Sequence, residues 1–359
     1  RRKINKPFKK LCNIFTNAHI IREKSDTGLK DEEYFFNLDT NYIPLENYDI
    51  KKGKNNIIVE RYPKLNDEEP YIFVCNHTCP EDIETVLNII DRNAYLVLGS
   101  IESLQYNPEM YLSFLNGMIP FDIMDKNQRK QVFEKMVRVL KTNSILIFPE
   151  GSHNYSPNKI VNNLFDGPVN LALQTTRKIV AISLVKDNEN NVSYIDVSNP
   201  IDVKSIDIDM DRNFNTSEEK EKYYVNSLTS KIRDKMATAV YYLIERHTKP
   251  LVRKDYYDVE EYLRMQKIKE AFKQLKWDRD VFDAEYLVKK TQEEKEFEEV
   301  AKTVTNLSLN SALLGNLCDK RWILTQLDIN KKDVANRMRE YWLSLKNNDN
   351  YENTKRKGK

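Results

Sequence analysis

The sequence predicts an α/β fold, a mixed sheet covered by helices with a helical region after it, and three observations carry that prediction. Between residues 56 and 203, short apolar runs alternate with amphipathic stretches of helical length, the pattern of a sheet sandwiched by helices. The runs at 71–75, 144–148 and 179–185 are apolar almost throughout, as strands covered on both faces are. Beyond residue 215 such runs stop and helical periodicity takes over.

Taken in order, residues 1–54 form a basic amphipathic N-terminal segment. Ile4, Phe8, Leu11 and Phe15 share one helical face among Arg1, Arg2, Lys3, Lys6, Lys9 and Lys10, with Pro7 confined to a first turn. Such a helix either lies on an anionic membrane surface or packs its apolar stripe on its own domain. Strands are expected at 56–61, 71–75, 94–99, 118–121, 144–148, 179–185 and 192–197, from their β-branched and aliphatic content. Helices are expected at 80–91, 107–116, 127–141 and 166–176. From Ser217 to His247 the pattern is one long amphipathic helix, and further helical segments follow near 258–276, 280–302 and 333–347. The division that results is a core domain at 55–205, a helical C-terminal region at 206–350 and a basic tail at 351–359. Apolar stretches at 95–98 and 111–115 suit either a lipid trough or ordinary core.

Composition narrows the function. In 359 residues, 57 basic and 55 acidic side chains leave a net charge of +2, too balanced for a dedicated nucleic-acid binder. Four cysteines make no disulfide framework and fit a reducing, cytoplasmic setting. No run approaches the eighteen or so uncharged apolar residues of a spanning helix, and no signal-peptide apolar core stands in the first residues. Membrane contact is therefore expected to be peripheral. Neither a Gly-x-Ser-x-Gly elbow nor a Walker A or Gly-x-Gly-x-x-Gly loop is present, which argues against serine-hydrolase and nucleotide chemistry.

The chemistry is concentrated in Cys75-Asn76-His77-Thr78-Cys79-Pro80-Glu81-Asp82, directly after an apolar run. A neutral imidazole accepts a proton effectively when its other nitrogen is held as a donor by a carboxylate. Asp82, five positions after His77, is spaced to be that carboxylate. Pro80 suits a first helical position, which would make Cys79 the N-cap and place Asp82 third in the helix. The plainer reading is an acidic residue favoured in a first turn by the helix dipole. Cys75, His77 and Cys79 lack a fourth ligand and the usual two-residue cysteine spacing, so no metal is expected.

Further on, Phe148-Pro149-Glu150-Gly151 ends a buried run, Gly117-Met118-Ile119-Pro120-Phe121-Asp122 lies between, and an apolar strand covers 179–185. In this order the four blocks resemble those of the glycerolipid acyltransferase family, which acylates glycerol-3-phosphate and lysophosphatidate. The resemblance spans about residues 70 to 200 and includes the His-x4-Asp motif of His77 and Asp82. It implies a transferase moving a fatty acyl group from acyl-CoA or acyl carrier protein to an acceptor hydroxyl, without a covalent acyl-enzyme and with no other cofactor. His77 is then the general base and Asp82 its partner. The substrate-binding candidates are Asn76, Gly117, Glu150, Gly151 and His153. Asn76 equally suits a plain turn, and Gly151 allows close approach to an anion.

Two departures bear on the acceptor. Where the family usually places arginines that grip a phosphate, this chain has Ile123 and His153. Isoleucine donates nothing, and histidine replaces a bidentate fork with a weaker, pH-dependent charge. Either Lys126, Arg129 or Lys159 supplies the charge, or the acceptor is a glycolipid, another lysolipid or a polyol. A catalytically reduced lipid-binding scaffold on the same fold is the alternative function, and a thioesterase using water as acceptor is a third.

Overall fold

A computed structural model describes residues 16–23, 30–31, 34, 42–79, 81–98, 117–120, 126–151, 154, 161–187 and 190–247. The N-terminal helical stripe, the 107–116 helix, the helices beyond residue 250, the basic tail, Ile123, His153 and Lys159 lie outside these residues. Two compact units are distinguished. One comprises Arg1–Tyr34, Leu45–His153 and Val161–Val240, and the other Phe35–Pro44, Asn154–Ile160 and Tyr241–Lys359. In the second, the Ile43 N–H donates to the Arg246 carbonyl at 2.7 Å. The sheet and the chemistry belong to the first.

Among the described residues there are eight strands: β1 (Ala18–Arg22), β2 (Asn55–Arg61), β3 (Ile72–Cys75), β4 (Ala94–Leu98), β5 (Met118–Pro120), β6 (Ser144–Ile147), β7 (Ile179–Asp187) and β8 (Val192–Val197). They form one sheet in the order β1-β2-β8-β7-β3-β6-β4-β5. The β3, β4, β5, β6 and β7 strands run parallel to their neighbours, and the β7–β8 pair is antiparallel. Strands β1, β2 and β8 are again mutually parallel. The sheet is thus two parallel halves joined at one hairpin, within the α/β class expected.

The described helices are α1 (Asp82–Ile89), α2 (Lys126–Val139), α3 (Gly167–Thr175) and α4 (Ser217–His247). None is long and apolar enough to cross a membrane. Every residue of β3 is buried, because both faces are covered. Phe73 and Cys75 point into a cluster with Ile57, Val59, Val180, Ile182, Ile195 and, from α1, Val86 and Ile89. On the α4 side, Ser183 Oγ donates to the Met236 carbonyl at 3.0 Å. Each such aliphatic or aromatic side chain taken from water contributes about 1.5–3 kcal/mol.

Strand β1 was not among the expected strands. It is short, Ala-His-Ile-Ile-Arg, and only partly buried, and it follows a basic segment whose helical spacing dominates the sequence signal. It adds to β2 in parallel register, Ala18 opposite Asn55 and Arg22 opposite Val59. Further along the chain, Asp31 also reaches the sheet. Its carboxylate takes the Arg61 Nη1 at 2.7 Å, while Asp196 receives Nε and Nη2 at 2.9 and 2.7 Å. All three are buried, so this half of the sheet is locked by a paired, hydrogen-bonded charge network.

Helix α3 begins at Gly167 and Pro168, and ends where Thr176 turns left-handed at φ 55°, a conformation that stops helical hydrogen bonding. The stretch 95–98 that suited either a trough or core is strand β4, with Leu96 and Val97 buried.

Candidate active site

Because β3 and β6 are adjacent and parallel, their carboxyl ends open at one edge of the sheet. His77 follows β3 and Glu150 follows β6, so the topology brings two residues distant in sequence to the same place. Reactive groups in sheets of this kind gather at that edge.

Asn76 marks the point where the chain leaves the sheet. Its amide Nδ2 donates to the Leu184 carbonyl at 2.9 Å, and its Oδ1 accepts from the Leu184 N–H at 2.8 Å. The side chain therefore continues the β3–β7 ladder by one rung, and it is wholly buried. The structure gives Asn76 to the scaffold of the turn. Asn76→Ala would leave the Leu184 N–H and carbonyl buried and unpaired, at about 1–3 kcal/mol each. A lower urea midpoint with an unchanged slope is the expected result.

His77 comes next, its side chain 13% exposed, with Nδ1 at 3.2 Å from Asp82 Oδ2. Asp82 is the most enclosed member of the pair, at 1% exposure. Its carboxylate also accepts the backbone N–H groups of Thr78 and Cys79, the latter at 2.9 Å. The Thr78 hydroxyl and the Cys79 thiol add donors to Oδ1, both at 3.1 Å. Burial alone would push this carboxyl up. The His77 hydrogen bond and charge, joined by Cys79, outweigh it and hold the group below its ordinary value. The carboxylate is therefore ionised at neutral pH.

The capping expectation for this turn needs correction. Glu81, not Cys79, is the N-cap residue, it makes no side-chain cap bond, and Asp82 opens the helix at its first position. The carboxylate of Asp82 is drawn back over the 77–79 turn by five donors, and the helix starts only after that turn is closed. Burial, followed by the charge of Asp82, pushes the Cys79 thiol up, and burial does the same to Cys75. Both remain thiols. Among the described residues no metal-holding group of His, Cys, Asp or Glu is formed.

Glu150 is buried at 6% exposure. One oxygen accepts the His77 backbone N–H at 2.8 Å and the other the Asn162 N–H at 2.8 Å. The Phe148 ring lies on the His77 imidazole, with centroids 4.5 Å apart and planes tilted by 37°. Sequence reasoning did not single out Thr78, Phe148 or Asn162. Only Phe148 had a usable signal, as the last apolar residue before Pro149.

Gly151 sits at φ +71°, and a Cβ there would fall 2.4 Å from the Phe165 ring. Its N–H donates to the Phe148 carbonyl at 3.1 Å, closing a tight turn. Gly117, at φ +115°, packs its backbone against the Tyr95 ring, 3.0 Å from where a Cβ would stand. It precedes β5, and the register of β5, β4, β6 and β3 puts it level with Ile72. That is about 16 Å along the strands from His77, at ~3.3 Å per residue. Gly117 is thus not brought to the site, whereas Asn76, His77, Asp82, Glu150 and Gly151 are. Lys126 and Arg129 occupy the first turn of α2, and the Arg129 side chain is exposed.

An imidazole whose Nδ1–H is held by an ionised, buried carboxylate presents Nε2 as its acceptor nitrogen, the arrangement of a general base. Residues 56–185 match a family model described as acyltransferase. Among solved structures, the chain is similar to the 1-acyl-sn-glycerophosphate (LPA) acyltransferase PlsC from Thermotoga maritima. Identity there is 16% and the TM-score 0.39, over 69% of this chain and 83% of that one. No curated protein matches by sequence.

Proposed function

Because residues 56–185 match an acyltransferase family model, we propose that the protein moves a fatty acyl group from an acyl thioester to a hydroxyl of a glycerolipid-type or polyol acceptor, with His77 as general base. The observation that carries this reading is the contact between His77 Nδ1 and Asp82, a carboxylate buried to 1% exposure.

In this scheme Nε2 of His77 takes the acceptor's hydroxyl proton as the oxygen attacks the thioester carbonyl. The carbon–sulfur bond breaks as the tetrahedral intermediate collapses, and the imidazolium returns its proton to the departing thiolate. Asp82 keeps the ring in the productive tautomer and stabilises the imidazolium between those steps. The donor is acyl-CoA or acyl carrier protein. The basic residues from Arg1 to Lys10 support peripheral docking on an anionic membrane surface at a cytoplasmic face.

Ile123 and His153 favour an acceptor other than a simple glycerol phosphate, since each missing charge-assisted contact removes about 1.5–3 kcal/mol of recognition. Thiol release from palmitoyl-CoA against glycerol-3-phosphate, lysophosphatidate, other lysolipids and polyols tests this. Weak turnover of the first two and stronger turnover of another acceptor is expected. Efficient use of either phosphate with a low KM overturns the altered acceptor. No release with either donor class overturns the transferase and leaves the lipid-binding scaffold.

A further inference from the structure

We propose that Glu150 is a positioning residue that holds the main chain of the base; this rests on the reading of His77 as general base. Three features of the geometry point that way. First, the carboxylate is committed: Oε1 holds the His77 N–H and Oε2 the Asn162 N–H, each at 2.8 Å, in a residue only 6% exposed. Backbone donors are fixed in place, so these two charge-assisted bonds tie the carboxylate to the main chain of His77 and of Asn162.

Second, the turn that carries Glu150 is itself braced. The Gly151 N–H closes it onto the Phe148 carbonyl at 3.1 Å, and the Phe165 N–H holds the Pro149 carbonyl at 2.8 Å. The 148–151 turn is thus tied to the 161–165 segment at two points, one of them through Glu150. Third, the same turn supplies the Phe148 ring that lies on the His77 imidazole. The base is therefore constrained through three independent contacts: Asp82 at Nδ1, Phe148 at the ring face and Glu150 at the backbone. A group serving the base in this way changes the rate of proton transfer more than the affinity for acceptor.

The test compares full-length wild type, Glu150→Ala and Glu150→Gln. Hydrogen exchange, followed by mass spectrometry without substrate, reads the peptides containing His77 and Asn162. Both are expected to exchange faster in Glu150→Ala, with partial protection in Glu150→Gln, whose amide oxygen keeps one acceptor. In thiol release from palmitoyl-CoA with the best acceptor of the panel, kcat is expected to fall by at least about tenfold in Glu150→Ala, with acceptor KM within about twofold. Glutamine should recover part of kcat. A rise in acceptor KM at unchanged kcat, or unaltered exchange at His77 in the alanine variant, overturns the assignment. If wild type itself releases no thiol, the transferase reading fails, while the exchange data still decide whether Glu150 braces this turn. If Glu150→Ala does not fold, the glutamine variant carries both readouts.

Discussion

Replacing His77 by alanine is expected to lower acceptor-dependent thiol release by about 10²–10⁴-fold, the usual contribution of a positioned general base. Among the described residues the site contains no obvious substitute. Its nearest carboxylates, Asp82 and Glu150, are held by buried hydrogen bonds, and the Cys79 thiol is kept protonated by burial and by Asp82. The fold should survive the change. His77 lies after the end of β3, its ring is partly exposed, and its backbone N–H to Glu150 remains in the alanine variant. Stability is expected to fall by about 1–3 kcal/mol, because the buried Asp82 loses the His77 hydrogen bond while keeping its donors from Thr78 and Cys79. Activity and urea unfolding measured on the same preparation separate the two effects. Wild-type rates in His77→Ala, with any acceptor, would remove the base from the mechanism.

How much of this was legible in the sequence depended on the range of the contact. The pairing of His77 with Asp82 is local, a turn five residues long, and the spacing alone suggested it. The strands at 71–75, 144–148 and 179–185 were legible because burial on both faces forces near-continuous apolar runs whatever the topology. What could not be read is what depends on distant partners. Asn76 gives both ends of its amide to Leu184, 108 positions away. Neither residue type nor spacing distinguishes that from a surface turn. Glu150 likewise drew attention through the Pro149 and Gly151 beside it. Those neighbours say that a turn is present and nothing about which backbone N–H groups its carboxylate will meet. The placement of Gly117 follows from strand register across β4, β6 and β3, which is a property of the assembled sheet. The missed strand β1 shows competition between signals: a basic amphipathic stripe just before it suggested helix, while tertiary pairing with β2 decided otherwise.

The second large effect concerns Asp82. Asp82→Asn preserves shape but replaces one acceptor oxygen by an NH₂ group, in a position where the carboxylate takes the N–H groups of Thr78 and Cys79, the Thr78 hydroxyl, the Cys79 thiol and His77 Nδ1. If the amide nitrogen faces His77, Nδ1 must become an acceptor and the proton moves to Nε2, where it blocks the base. If it faces the turn instead, a backbone N–H is orphaned and the turn must reopen. Both outcomes cost rate, and a loss of about 10²–10⁴-fold in kcat is expected, comparable to loss of the base itself. Stability should respond differently with pH. The folded-state pKa of Asp82 is depressed, so its stabilising contribution is present above the unfolded value of about 3.9 and is lost as pH falls through the folded value. Asparagine has no such titration. Denaturant unfolding of wild type and Asp82→Asn should therefore show the larger difference near about pH 7 and a smaller one near about pH 3, because protonation removes from the wild type what the substitution has already removed. A gap that widened on acidification would contradict a carboxylate held in its charged form by the His77 turn.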